Sequence, residues 1–372
     1  MLDYLKRARD RFFGEGEATV SVPIFDGALA PNNLLEEAPV FAELAGLEDL
    51  AMGPDGVLHA ACGNQVLRFA ADGVASMRAS FDAPLQALAL ADDGALAVAT
   101  ATGVRIDGGP FHGKRLDALQ GQPLGCINAL RWASGAKLLI SQGSLKRPYA
   151  ELSHDLLEHG RSGRVLEYDC ASGETRVLAS GLAYCYGVCD SGAQVIAAQS
   201  WAHSVVGVAQ AGKPPKALLK ALPGYPARIS PAPGGGFWLS VFAGRTQLLE
   251  FVLREDDFRA EMMRTIEPRY WVAPALNSGS DFREPLQGGS VKQMGILKPW
   301  APPRSYGLVI RLGADMLPLY SLHSRVGGVH HGIVSAVEQA GKLFVLSKGS
   351  GRILCLNLAE LNFDSRPKRG AA

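Results

Sequence analysis

The sequence predicts an all-β fold, a six-bladed β-propeller, and three observations predict it. A small turn ending in glycine recurs six times, at PDGVLHAAC from Pro54, DDGALAVAT from Asp92, ASGAKLLIS from Ala133, DSGAQVIAA from Asp190, PGGGFWLSV from Pro233 and QAGKLFVLS from Gln339. Every copy leads into a short apolar or alternating run of strand length. Most copies are spaced by about 40 to 55 residues, the length of a four-stranded blade, and the last gap is about twice that and must hold an insertion.

The glycine of each turn supplies the positive φ that a tight hairpin needs, so each repeat carries one hairpin. Radial repetition of that unit protects strand edges and explains the spacing, which a sandwich or barrel leaves unexplained. Blade one is expected from about Glu48, blade two from about Pro84, blade three near Asn128, and blades four and five from Tyr186 and Arg228.

Elements outside the repeats follow from local pattern. Leu2, Leu5, Phe12 and Phe13 share one helical face opposite Lys6, Arg7, Arg9 and Arg11, which predicts a short amphipathic helix within residues 1–16, docked on its own propeller. Residues 18–23 (ATVSVP) read as an isolated N-terminal strand that completes the last blade. The propeller is expected over residues 17–358 and a tail over 359–372. A helical stretch at 151–158 stands between blades three and four, and residues 254–304 read as a lid-like insertion between blades five and six. That insertion carries Tyr270, Trp271, Met294 and Trp300 in a Pro- and Gly-rich frame, so its aromatics must pack on something, and Trp271 is placed among the substrate-binding residues.

Composition narrows the function classes. With 37 Lys and Arg against 36 Asp and Glu over 372 residues, no phosphate-tracking stripe is visible and no nucleic acid partner is expected. The first residues lack the pattern of a secretory signal, and no window approaches 18 apolar residues, so a cytoplasmic protein with no integral membrane segment is expected. Six cysteines are scattered through strands and loops and read as reduced thiols; Cys185 and Cys189 lack the second pair or histidines that zinc requires.

Specific strings carry a family resemblance. Residues 162–182, SGRVLEYDCASGETRVLASGL, resemble the strictosidine synthase-like proteins, as do GYPARI at 224–229 and the GGFWLSV that follows. GLEDLAMGPDGVLHAA at 46–61 is similar to an opening shared with gluconolactonases of the SMP-30 type. The likeness spans residues 31–358.

That resemblance implies an active site in the central channel, where the starts of the innermost strands converge, a small-molecule substrate, and in the lactonase branch a divalent cation, usually calcium, with oxygen ligands. Glu48 in LEDL and Asn128 in CINAL match two of the family's metal ligands. The third position is Tyr186 in CYGV, and the aspartate of the fourth gives way to Ala227 and Arg228 in YPAR, so two of four ligands are absent. A guanidinium in the metal's place is expected either to pair with Glu48 or to present a fork to a substrate carboxylate, phosphate or oxyanion.

The synthase branch relies on a glutamate in the last blade. Here RVGGVHHGIVSAVEQAGKLF has no carboxylate before Glu338, and His330 and His331 occupy the approximate place; one of them is a candidate general base. The catalytic candidates are therefore His330, His331, Arg228 and Tyr186, and the substrate-binding candidates Glu48, Asn128, Arg228 and Trp271. Three functions stay open: a hydrolase of a small ester or lactone with a degraded metal site, a non-catalytic small-molecule binding or sensing propeller, and a Pictet–Spengler-type synthase, which the missing glutamate disfavours.

Overall fold

Each of the six repeats joins the innermost strand of a blade to the strand beside it, and the third reaches its second strand through residues 134–135, which lie outside the described residues. The computed structural model describes residues 22–133, 136–208, 213–279, 281–285 and 304–363, together with the short strands Lys292–Gln293 and Ile296–Leu297. Gly56, at φ 73°, links Leu47–Met52 to Leu58–Cys62, and Gly94, at φ 83°, links Leu85–Leu90 to Leu96–Thr100. The same step recurs at Ile127–Trp132, Cys185–Asp190, Gly224–Pro231 and Ile333–Gln339, each paired with the strand that follows it. These six strands neighbour one another around a closed ring. Each begins a four-stranded antiparallel sheet, which makes the six blades.

The ring is closed by Val40–Glu43, which pairs with Arg352–Asn357, the third strand of blade six. The strand expected at 18–23 does not fill this place: residues 18–21 lie outside the described residues, and 22–23 are not in a strand. The helix expected at 1–16 also lies outside the described residues, as does the tail from 364 onward.

Both insertions sit inside blades rather than between them. Gly163–Asp169 pairs with Lys137–Gln142, so the stretch containing the helix Leu152–Leu157 separates the second and third strands of blade three. Leu308–Leu312 pairs with Phe237–Gly244, so the second insertion belongs to blade five and not to the boundary between blades five and six. Two strands cannot cover their own outer edge, and the chain returns to complete the ladder after each excursion. In an antiparallel meander successive links alternate between the two faces. Both insertions therefore emerge on the face where the innermost strands begin.

A second regularity aims side chains at the axis. The register shifts near the start of every innermost strand, between Leu47 and Asp49, Leu85 and Ala87, Ile127 and Ala129, Cys185 and Gly187, Pro226 and Ile229, and Ile333 and Ser335. The residues inside these bulges are Glu48, Gln86, Asn128, Tyr186, the pair Ala227 and Arg228, and Val334. A bulge re-aims the side chain it carries. Here it does so once per blade.

The core lies between adjacent blades. Val66, Leu85, Leu88, Leu96 and Val98 fill the gap between blades one and two, and Trp238 donates through Nε1 to Glu338 Oε2 at 2.6 Å, tying blade five to blade six. Among the described residues no helix is long and apolar enough to cross a membrane.

Candidate functional site

Arg228 reaches from the bulge of blade five across the ring. Its Nη1 donates to the backbone carbonyl of Glu48 at 3.0 Å and its Nη2 to the carbonyl of Gln86 at 2.8 Å, while Nε lies 3.1 Å from Asp49 Oδ1. The carboxylate partner of Arg228 is thus Asp49; the expected pairing with the Glu48 carboxylate is replaced by a bond to its main chain. Successive strand residues face opposite ways, and here Asp49 turns to the guanidinium while Glu48 turns elsewhere. Asp49 also accepts from the amides of Leu50 at 2.8 Å and Leu88 at 3.2 Å. Burial pushes the Asp49 carboxyl up, and the Arg228 guanidinium, the two amides and the Ser335 hydroxyl offset that push only in part. For Arg228, burial works against the charge, but Asp49 leads a group of neighbours that raise its proton affinity, and it stays cationic.

Glu48 finds other partners. Its carboxylate accepts from Tyr149 Oη at 2.9 Å and is ion-paired with Lys348 Nζ. Lys348 Nζ also lies 3.3 Å from Tyr149 Oη, as a donor to it, and 4.9 Å from the tyrosine ring centroid. Tyr149 begins the turn Tyr149–Glu151 in the insertion of blade three, and Lys348 opens the equivalent link of blade six, just past Lys342–Ser347. The Glu48 and Lys348 side chains keep 20% and 19% of their exposure, so this trio is reachable where the Arg228–Asp49 pair, at 7% and 4%, is not. Burial, followed by Glu48, pushes the Tyr149 hydroxyl up; burial and Tyr149 push up Tyr186. Both are proton donors at neutral pH.

Tyr186 is buried beside Arg228, whose guanidinium carbon stands 5.5 Å from its ring centroid. Asn128 is fully buried and donates through Nδ2 to Cys185 O at 2.9 Å, while its Oδ1 has no hydrogen-bond partner among the described residues. The flank toward blades four and five is aromatic: Tyr186 packs on Phe242, Tyr184 on Trp201, and Trp201 Nε1 donates to Asp155 Oδ1 at 2.8 Å.

The other candidates lie elsewhere. His330 is buried, with Nδ1 2.8 Å from Leu35 O, and His331 is buried between Ser305 Oγ, 2.7 Å from Nδ1, and Arg325 O, 3.0 Å from Nε2. Among the described residues the hydrogen-bond partners of these two rings do not include Glu48, Asn128, Tyr186 or Arg228. Trp271 is 1% exposed; it packs with Leu157, Val252, Met262 and Ala273, meets His154 edge-on at 4.5 Å, and donates to Ile266 O at 2.9 Å. It fastens the two insertions together instead of facing a ligand. Among the described residues no group of three His, Cys, Asp or Glu side chains gathers at ligand spacing.

Sequence reasoning missed Gln86, Asp49, Tyr149 and Lys348. Gln86 had a usable signal, because it occupies the same place in blade two that Glu48 and Asn128 occupy in theirs. Tyr149 and Lys348 come from links whose destination only the ring reveals.

The geometry finds counterparts among solved structures. A putative gluconolactonase matches 86% of this chain and 91% of its own at a TM-score of 0.53 and 13% identity. A gluconolactonase from Xanthomonas campestris matches 86% and 88% at 0.54 and 12% identity. The chain has the six-bladed propeller fold of the gluconolactonases. A luciferin-regenerating enzyme matches 87% of this chain and 93% of its own at a TM-score of 0.51 and 10% identity. In sequence, the propeller is 25% identical over 251 residues to the adipocyte plasma membrane-associated protein of Danio rerio, covering 65% of this chain and 54% of that protein. The chain thus spans about half the length of the curated relative it matches. No family model matches it. The resemblance read from the sequence holds at the level of the gluconolactonase fold.

Proposed function

We propose that the protein is a hydrolase of small esters or lactones that uses its own cations where the fold's lactonases are expected to use a metal. The observation that carries this reading is the Glu48 carboxylate, held at the channel mouth by Lys348 Nζ and Tyr149 Oη. An ammonium and a phenol that converge on one oxygen can equally converge on a carbonyl oxygen as it gains charge. Glu48, released from them, is placed to take a proton from an attacking water. Fold neighbours named as gluconolactonases make a lactone carbonyl a reasonable first substrate.

The residues present do not suit a divalent cation. The main-chain oxygens of Glu48 and Gln86 are filled by Arg228, and the Glu48 carboxylate is neutralised by Lys348. Two fixed positive charges stand against two carboxylates, which removes the excess negative charge a hard cation needs. Glu48 and Asn128 are accordingly read as channel residues without a metal, and no step is assigned to one.

The test is a panel of lactones and aryl esters assayed in chelator. Turnover by the wild-type protein, with kcat/KM lowered by about 10² or more in both Glu48→Gln and Lys348→Met, is the expected result. No turnover of any panel member, or unchanged rates in both variants, overturns it. A second reading, a binding propeller without chemistry, draws on the same pairing: with Glu48 already neutralised, a ligand carboxylate could take its place on Lys348 and Tyr149. Saturable binding of lactone or hydroxy-acid ligands without turnover would favour it.

A further inference from the structure

We propose that Ser278 is a second nucleophile, separate from the channel cluster, whose proton is drawn through Ser305 to His331. The three groups form one chain: Ser278 Oγ lies 2.6 Å from Ser305 Oγ, and Ser305 Oγ lies 2.7 Å from His331 Nδ1. On the far side of the ring, His331 Nε2 is 3.0 Å from the carbonyl oxygen of Arg325.

The hydrogen-bond network assigns every proton in this chain. A carbonyl oxygen only accepts, so Nε2 carries the hydrogen and Nδ1 is bare. Ser305 must then donate to Nδ1, and the contact between the two hydroxyls requires Ser278 to donate to Ser305. All three bonds point the same way, from Ser278 inward to a base, as a nucleophile, a relay and an oriented imidazole require. Ser305 and His331 are buried, whereas Ser278 is only half-buried between exposed Asn277 and Gly279. A reagent meets Ser278 first.

The loop that carries Ser278 is fixed on both sides. Asn277 Nδ2 donates to Gly349 O at 3.1 Å, and the amide of Gly279 donates to Glu284 Oε2 at 2.8 Å. Leu276 rests on Gly332 and Gly349, so closely that a Cβ on Gly332 would stand 2.6 Å from its carbonyl oxygen. Gly349 follows Lys348 directly, which seats this loop at the rim of the channel face. The charged and titratable groups facing His331 are Glu36, the neighbouring His330, Tyr306, whose ring centroid lies 6.3 Å away, and Arg325, whose side chain lies 4.0 Å from Glu36. Burial lowers the proton affinity of His331, with Glu36 and the Arg325 carbonyl acting in the opposite sense. The base is therefore free at neutral pH, and the imidazolium that forms when it accepts a proton has Glu36 nearby.

The step balances with no added reactant. Ser278 Oγ bonds to the acyl carbon of an ester while its proton passes to Ser305 and the Ser305 proton passes to Nδ1. Nδ1 then returns its proton to Ser305 as Ser305 passes one proton to the departing alkoxide, leaving an acyl-serine, an alcohol and a neutral imidazole, and water repeats the sequence to release the acid. An organophosphonyl fluoride follows the first half alone, with the P–F bond broken and fluoride leaving.

A fluorophosphonate probe on the full chain, read by intact mass and peptide mapping, tests the proposal. The expected result is one adduct, on Ser278, at a rate flat across neutral pH and falling only in acid below the ordinary histidine range, as His331 protonates. Ser305→Ala, which breaks the relay but keeps the loop anchors, should label about 10²-fold more slowly while melting close to wild type, and His331→Asn should behave likewise. An adduct on another residue, no adduct, or equal rates in wild type and Ser305→Ala overturns it. Labelling needs no turnover, so it can fail while ester hydrolysis in the channel stands, and the reverse.

Discussion

Arg228 Nη1 donates to the main-chain oxygen of Glu48 across 3.0 Å, although 180 positions separate the two residues in the chain. With Nη2 on Gln86 O and Nε beside Asp49, this one guanidinium joins blades one, two and five at the axis.

Breaking the Arg228–Asp49 pair should cost more than replacing both of its members. Both side chains are almost fully buried, so Arg228→Met leaves an uncompensated carboxylate and is expected to cost about 3–5 kcal/mol in denaturant unfolding. Asp49→Leu should cost a comparable amount, and the double variant Arg228→Met with Asp49→Leu should cost less than the sum of the singles. Additive losses would show that the two charges act independently.

Calcium and chelator should leave the melting temperature where it is. A ligand that binds only the folded state raises stability by mass action, and of the oxygens a cation would seek here the Glu48 carboxylate and the main-chain oxygens of Glu48 and Gln86 are already engaged by Lys348 and Arg228, which leaves Asn128 Oδ1 alone without a partner among the described residues. Scanning calorimetry in millimolar calcium and in EDTA reads this directly. A clear upward shift in calcium would restore the metal.

Acid should weaken the fold through two buried histidines. Burial lowers both His203 and His323 to about 3. Below the unfolded value of about 6.5 the unfolded chain takes up protons that the folded one refuses, so stability falls as pH drops toward 3, by about 1.4 kcal/mol per pH unit for each histidine. His323 is held by Tyr306 Oη at 2.9 Å and Ser321 Oγ at 2.7 Å, and His323→Gln should remove its share of that slope. Unfolding free energies at pH 7 and pH 5 for both proteins check this; equal slopes would refute it.

Thiol chemistry should divide the cysteines. Cys62 and Cys355 are partly exposed, while Cys126, Cys170, Cys185 and Cys189 are buried, and burial pushes Cys126, Cys170 and Cys189 to about 11. A thiol-reactive dye should modify Cys62 and Cys355 before denaturation and the others only after it.

Gly349→Ala should unseat the loop around Ser278. The added Cβ meets the carbonyl oxygens of Leu276 and His331, and main-chain atoms cannot swing aside as a side-chain tip can. Trypsin cleavage at Arg283, which is half exposed, is expected to accelerate while the propeller keeps its far-ultraviolet spectrum. Unchanged cleavage would mean the loop adapts without leaving its place.

The repeats were legible because their signal is local. Gly56 and Gly94 need positive φ whatever surrounds them, and the strands beside them carry their own pattern. Convergence of Glu48, Tyr186 and Arg228 was also legible, since it follows from equivalent positions in a ring. What escaped was pairing at long range. Asp49 and Glu48 are adjacent in the chain, and only the bulge decides which of them meets Arg228. Lys348 and Tyr149 lie 199 positions apart and meet through the closure of the ring, which no window of sequence contains. Insertions at the second link of a blade mislead for a similar reason: the hairpin at 163–182 looks like a new unit until its first strand is seen on Lys137–Gln142.

The partnership of Val40–Glu43 with the strand Arg352–Asn357 has a kinetic side. Glu43 and Arg352 are joined by a side-chain bond across 309 positions, so this fastening forms only after Arg352 has left the ribosome. Until then Val40–Glu43 has no mate, and nascent chains expose it to one another. Loop closure over such a span is slow, and unpaired edges favour intermolecular association. The final step of assembly is thus a latch, and crowded synthesis is where this molecule is most exposed to misassembly.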